Sequence, residues 1–165
     1  MNFALLLLFL DNKPLNITAM KKILTLLFIV ITTVSVASAG NKIYYNDSPL
    51  PAASKTLLSK HFKAKVNFVK VETNVWGSVK EYEAVLTDGT EVDFDANGSL
   101  KSVDAGANGV PNSLVLPAIA TYVKNNCKNQ KIMELDITSK TYKIELQDGR
   151  DLIFDRNGKF LREER

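Results

Sequence analysis

Asp88-Gly-Thr-Glu-Val-Asp-Phe-Asp-Ala-Asn-Gly98 and Asp148-Gly-Arg-Asp-Leu-Ile-Phe-Asp-Arg-Asn-Gly158 are two versions of one eleven-residue phrase, sixty positions apart. Each places strand residues between two glycine turns, and neither carries a nucleophile, a metal cage or a phosphate-binding loop. The likeness runs outward from these stretches. Leu50-Pro51 corresponds to Leu116-Pro117, Val66 to Ile132, and Tyr82-Glu-Ala-Val-Leu86 to Tyr142-Lys-Ile-Glu-Leu146. Each half reads as a helix followed by four strands. The expected fold class is therefore α+β, with two tandem repeats, residues 40–104 and 105–165, each a helix packed on a four-stranded antiparallel sheet. The small, polar run Asp104-Ala-Gly-Ala-Asn-Gly109 reads as the linker between them.

Helical spacing supports the first element of each half. Ala53, Leu57 and His61, flanked by Leu50, Leu58 and Phe62, form one stripe, and Ile119, Val123 and Cys127 form the other. Pro51 suits a first helical turn, where its missing N–H would be unpaired in any case. Pro111 and Pro117 are both candidate starts for the second helix.

Strand alternation fixes the turns. Tyr82, Ala84 and Leu86 must share an apolar face with Val92, Phe94 and Leu100, so even-numbered residues pair with even ones. A two-residue Asp88-Gly89 loop breaks that rule. A three-residue loop, Thr87-Asp88-Gly89, pairs Ala84 with Val92 and Tyr82 with Phe94, and puts Gly89 at the left-handed bulge position. Ala96-Asn97-Gly98 is the same kind of turn, and both recur at Gly149 and Gly158.

Leu-Pro opening a helix, then strands, then an Asp-Gly turn and a Phe-Asp-x-Asn-Gly hairpin together resemble the PepSY-like family, which is similar to beta-lactamase inhibitor proteins. The resemblance spans Leu50 to Leu161 in two copies. It implies a small exported bacterial protein with a helix on one side of each sheet and the other side open to bind protein. It implies no activity, because a fold does not carry one.

The N-terminal region reads as an export signal that starts at Met20. Lys21 and Lys22 are its charged end, Ile23 to Val36 its apolar run, and Ala37-Ser38-Ala39 its cleavage site. That leaves Gly40–Arg165, expected in the periplasm or secreted, with no stable membrane anchor. Residues 1–39 hold Lys13, Lys21, Lys22 and Asp11, so 18 of 21 basic and 17 of 18 acidic residues remain after cleavage, for a net charge of about +1. So balanced a chain, taken as a whole, gives no support to a nucleic-acid or anionic-lipid partner. A single cysteine, Cys127, forbids an intramolecular disulfide, and the single histidine, His61, falls in the other half.

No catalytic constellation is legible, and no cofactor or metal is expected. Asp93-x-Asp95-x-Asn97-Gly98 imitates the start of a helix-loop-helix calcium loop, but Val92 and Phe94 alternate as strand residues and the second copy has Ile153 in place of Asp93. The pairing instead puts Glu83 opposite Asp93, Glu91 opposite Val85 and Glu81 near Asp95 on the open sheet face, with Lys101 on the other side of Asp93. Lys143, Ile153 and Leu161 form the corresponding row in the second half. An acidic face beside an apolar, mixed one is expected to dock another periplasmic or extracellular protein. Trp76, at the tip of the longer first hairpin, is a candidate anchor for that partner. The alternative is a cation or small-ligand site on Glu83, Glu91, Asp93 and Asp95.

Overall fold

The structure, a computed structural model, describes residues 40–128 and 130–164. The export signal expected over residues 20–39 lies outside the described residues. The described chain is α+β: one antiparallel sheet of nine strands with two helices. Strand β1 (Asn41–Tyr44) leads into helix α1 (Ala52–His61) and strands β2 (Val66–Thr73), β3 (Val79–Leu86), β4 (Glu91–Asp95) and β5 (Leu100–Asp104). Helix α2 (Pro117–Asn126) then precedes β6 (Ile132–Ile137), β7 (Thr141–Leu146), β8 (Asp151–Asp155) and β9 (Phe160–Glu164). Spatial order follows chain order from β1 to β9.

Two expectations are corrected. The separate four-stranded sheets are one sheet, because β5 pairs with β6 through Ser102–Asp136, Val103–Leu135 and Asp104–Glu134. A ninth strand, β1, extends the edge beyond β2, pairing Asn41 with Glu72 and Tyr44 with Val69. The run after Asp104 is no loose tether either. The Ala105 N–H donates to the Met133 carbonyl and the Val110 N–H to the Ile132 carbonyl, so the segment is laced to β6 at both ends.

The core lies on the helix side. A single transverse row, Val69, Ala84, Val92, Val103, Leu135, Ile144 and Leu152, crosses seven strands with each side chain at most 1 % exposed. Leu58 of α1 and Ile119 and Val123 of α2 pack on it, and Tyr122 stacks on Phe160 at 4.7 Å between ring centres. Among the described residues, this core runs from Leu50 to Phe160.

The helix starts are set by proline and by the turns beneath them. Pro117 is the first residue of α2, whereas Pro111 opens a short 3-10 turn over Asn112–Leu114. Pro51 sits one position before α1, at its N-cap. In α1 the buried residues are Ser54 and Leu58, one position away from the Ala53-Leu57-His61 stripe. The cause is Ser54, whose hydroxyl donates to the Gly98 carbonyl at 3.2 Å and so satisfies its one polar group under the helix. His61 is consequently not a core residue. Its Nδ1 lies 2.7 Å from the Ser113 hydroxyl.

Candidate functional site

Two long transverse rows cross the face of the sheet away from the helices, beside a shorter one of Asn41, Glu72, Glu81 and Asp95. The first runs Ile43, Lys70, Glu83, Asp93, Ser102, Asp136, Lys143, Ile153 and Arg162, one residue from each of the nine strands. The second runs Phe68, Val85, Glu91, Asp104, Glu134, Glu145, Asp151 and Glu164. From Glu91 onward, six carboxylates on six consecutive strands stand in direct register. Strand neighbours lie about 4.8 Å apart, so this is an unbroken acidic line about 24 Å long.

The three-residue turns place the first-half carboxylates. The Leu86 N–H donates to the Thr90 carbonyl at 2.8 Å, and Gly89 has φ +85°, which puts Glu83 opposite Asp93 and Val85 opposite Glu91. Asp95 belongs to the next turn, where its Oδ1 accepts from the Asn97 and Ser99 N–H groups at 2.8 and 2.9 Å. These backbone donors, the Ser99 amide first, hold its carboxyl below the usual aspartate range. The Asp93–Gly98 stretch is thus strand and hairpin turn.

Lys101 and Leu161 depart from the expected rows for one reason. Between Asp93 and Phe94 the partner strand has an extra residue, so that Asp93 faces Ser102 and Phe94 faces Leu100. The bulged residue is Lys101, and its ammonium pairs with Glu81 instead of Asp93. Leu161 is the bulged residue of β9, which leaves Arg162 opposite Ile153 and Leu161 46 % exposed.

Repulsion along the first row is relieved locally. The Lys70 ammonium lies 2.7 Å from Glu83, and the Ser102 hydroxyl donates to Asp93 at 2.6 Å. Burial nevertheless pushes the Asp93 carboxyl up, with Glu81 and Glu83 adding to the effect against the Ser102 bond. Lys143 reaches from the first row to Asp151 in the second, at 2.9 Å. Between the charges lies an apolar floor. Ile153 is 5 % exposed yet sits outside the main core, on the open side. Asp93, Ser102, Asp136, Lys143, Ile153 and Arg162 line a hollow of about 420 Å³ there. Of the expected contact residues, Glu83, Glu91, Asp93, Lys143 and Ile153 share this face. Trp76 stands apart, 88 % exposed at the β2–β3 tip, where the Asn74 carboxamide oxygen accepts from the Trp76 and Ser78 amides and fixes the turn.

The acidic line has a pH signature. Burial raises the Glu91 carboxyl, helped by Glu83 and Asp104, and raises Glu134, helped by Asp136. A carboxyl whose folded pKa exceeds its unfolded one contributes stability that is present below the unfolded pKa and lost as pH rises through the folded one. Glu134 has Asp104 and Glu145 as direct cross-strand neighbours, and like charges so placed are destabilising. Glu134→Gln is therefore expected to raise the melting temperature by about 2–5 °C at pH 7. The gain should vanish once pH falls below the ordinary glutamate range, and thermal melts across pH check both statements. A gain of equal size at low pH would show that charge is not its cause.

Among the described residues no group of three or more His, Cys, Asp or Glu side chains is placed to hold one metal ion. Cys127 is buried, its thiol pushed up by desolvation.

No curated protein matches the chain. Among solved structures, it is similar to a "putative periplasmic protein of unknown function" from Bacteroides vulgatus, with a TM-score of 0.71 and 28% identity, covering 76% of this chain and 100% of that one. A "putative calcium-regulated periplasmic protein" from Bacteroides thetaiotaomicron gives a TM-score of 0.70 at 25% identity, covering 76% and 97%. A second "putative periplasmic protein" from Bacteroides vulgatus gives 0.69 at 26%, also covering 76% and 97%. The family model described as "Putative beta-lactamase-inhibitor-like, PepSY-like" matches residues 80–162, from the start of β3 into β9. With half of its length under that model, the chain belongs to the PepSY-like, beta-lactamase-inhibitor-like family.

Proposed function

We propose that this chain is a non-enzymatic, exported binding module, built by duplication of a helix-plus-four-strand unit, whose open sheet face engages another periplasmic or extracellular protein. The observation that carries the reading is the open face itself. Two residue rows cross one sheet with no covering layer among the described residues, and they combine a buried isoleucine, paired lysine and arginine groups and a continuous acidic line. Interfaces join apolar floor to polar rim in this way. The inhibitor-like description of the family points to a binding role over a catalytic one, and the solved relatives described as periplasmic support the compartment.

Affinity capture from the native exported fraction, with immobilised Gly40–Arg165, tests this. A partner retained by the wild type should be lost with Asp93→Lys or Ile153→Arg, each weakening it by at least tenfold, since a misplaced charge at a desolvated contact costs several kcal/mol. Trp76→Ala reports whether the hairpin tip shares the contact. Retention unchanged by both face variants would remove the open face from the interface.

A second reading, a cation site on Glu83, Glu91, Asp93 and Asp95, is favoured by the acidic line and by the name of the Bacteroides thetaiotaomicron relative. Against it, Asp95 is engaged by its own turn and Glu83 by Lys70. Millimolar calcium would raise the melting temperature under the cation reading and leave it unmoved under the docking one.

A further inference from the structure

The acid on the open face has its counterpart on the helix side at the β1 edge. From Gly40 to Val71 the chain has six lysines and one carboxylate, Asp47. The fold gathers three of these lysines around one hollow beside α1 and sets a fourth, Lys42, on the helix side of the edge strand. Lys42 and Tyr44 pair with Val71 and Val69, whose side chains are on the helix side of the sheet. Lys55, Lys63 and Lys65 rim a hollow of about 470 Å³, floored by Leu58, with Tyr45 and Asp47 at its wall. Among the described residues, none of Lys42, Lys55, Lys63 and Lys65 is within ion-pair distance of a carboxylate, whereas Lys70, Lys80, Lys101 and Lys143 all are. Tyr45 is 81 % exposed and Tyr44 37 %, an unusual degree of display for aromatic side chains.

We propose that this basic, aromatic patch docks the protein reversibly on an anionic lipid surface. Unpaired lysines supply attraction to lipid phosphates, and a tyrosine beside them suits the boundary between headgroups and acyl chains, where its ring is apolar and its hydroxyl wet. Charge favours this occupant, since among the described residues the lysines of this patch have no carboxylate within ion-pair distance, while those of the open face are paired. The geometry also keeps the lysines apart from the acidic line, since Lys42 and Tyr44 project to the helix side while that line begins at Glu91 on the open side; Tyr45 stands at the edge between them, its ring 6.5 Å from that of Phe68. A lipid-docked molecule can therefore still present its open face.

Sedimentation with vesicles tests the patch, using Gly40–Arg165 so that the apolar N-terminal run contributes nothing. At low salt the chain should bind vesicles of phosphatidylcholine with 40% phosphatidylglycerol at least tenfold more tightly than pure phosphatidylcholine. Raising salt to about 0.5 M should abolish the difference. Each lysine near such a surface is worth about fivefold. Lys55→Gln, Lys63→Gln and Lys65→Gln combined should weaken binding by well over tenfold, and Tyr45→Ala by several-fold. Lys124→Gln with Lys131→Gln, beside α2, should change it by less than twofold, with melts confirming that every variant is folded. Equal binding to both vesicle types, no binding at low salt, or an equal loss from the α2 variant would overturn the proposal. None of these outcomes bears on capture by the open face, whose decisive variants lie on the other side of the sheet.

Discussion

Gly98→Ala is expected to destabilise the protein by about 3–5 kcal/mol, while Gly89→Ala costs only about 1–2 kcal/mol. The two glycines have nearly the same left-handed backbone, φ +86° and +85°. What differs is the space. A methyl group on Gly89 meets nothing within 4 Å, whereas one on Gly98 falls 2.7 Å from the Ser54 hydroxyl and 2.8 Å from Pro51 Cβ. The start of α1 rests on the β4–β5 turn, and the Ser54–Gly98 hydrogen bond is broken if the helix lifts. The penalty thus adds overpacking and a disturbed buried hydrogen bond to the conformational cost. For a domain of this size it should lower the melting temperature by about 10–20 °C. Gly158 offers an independent repetition, with its added methyl 2.8 Å from Ala118 Cβ of α2, and Gly149 an independent control with nothing within 4 Å. If Gly98→Ala and Gly89→Ala cost the same, backbone conformation alone explains both and the helix is not seated on the turn.

The same turns show how far the sequence could be read. Even-with-even pairing forced three-residue loops, and the observed register, Tyr82 with Phe94 and Ala84 with Val92, follows from it. That register by itself brings Glu83 against Asp93. The inference lost its hold one hairpin later, at the bulges. A signal was present: Leu100 and Val103 are both on the helix side yet three positions apart, as are Val66 and Val69, and Ile132 and Leu135. Period-two alternation cannot put residues three apart on one face, so each such gap marks an inserted residue. In β9 the corresponding position is Glu163, and hydrophobicity gives no such warning there.

Other features were not legible because they are long-range. Strand β1 is four residues of mixed character with every side chain exposed, so no apolar period announces it. Ser54 is polar, and only the Gly98 carbonyl beneath it explains its burial. The acidic line depends on the β5–β6 seam, which sets Asp104 against Glu134 across the helix α2 connection. Within either half alone the carboxylates are a scatter. Pairing the halves turns them into a row, and the central property of the candidate site arises from the junction.

That junction carries the second large effect. Leu135 is fully buried in β6 between Val103 and Ile144, and so it stitches the first half of the sheet to the second. Leu135→Ala should cost about 2–5 kcal/mol through lost burial and the cavity left behind, lowering the melting temperature by about 10–20 °C. Because the core row is continuous from Val69 to Leu152, the loss is expected to move a single cooperative transition, with calorimetric and van't Hoff enthalpies equal before and after the change. Val69→Ala, four strands earlier in the same row, should shift that same transition. Two transitions, one answering to each substitution, would mean that the halves fold as independent sheets. The acidic line would then be a contact between separately folding bodies, and its like-charge repulsion would act to part them. In a single cooperative sheet the apolar row beneath holds the line together, which is how six carboxylates can be kept side by side on the face away from the helices.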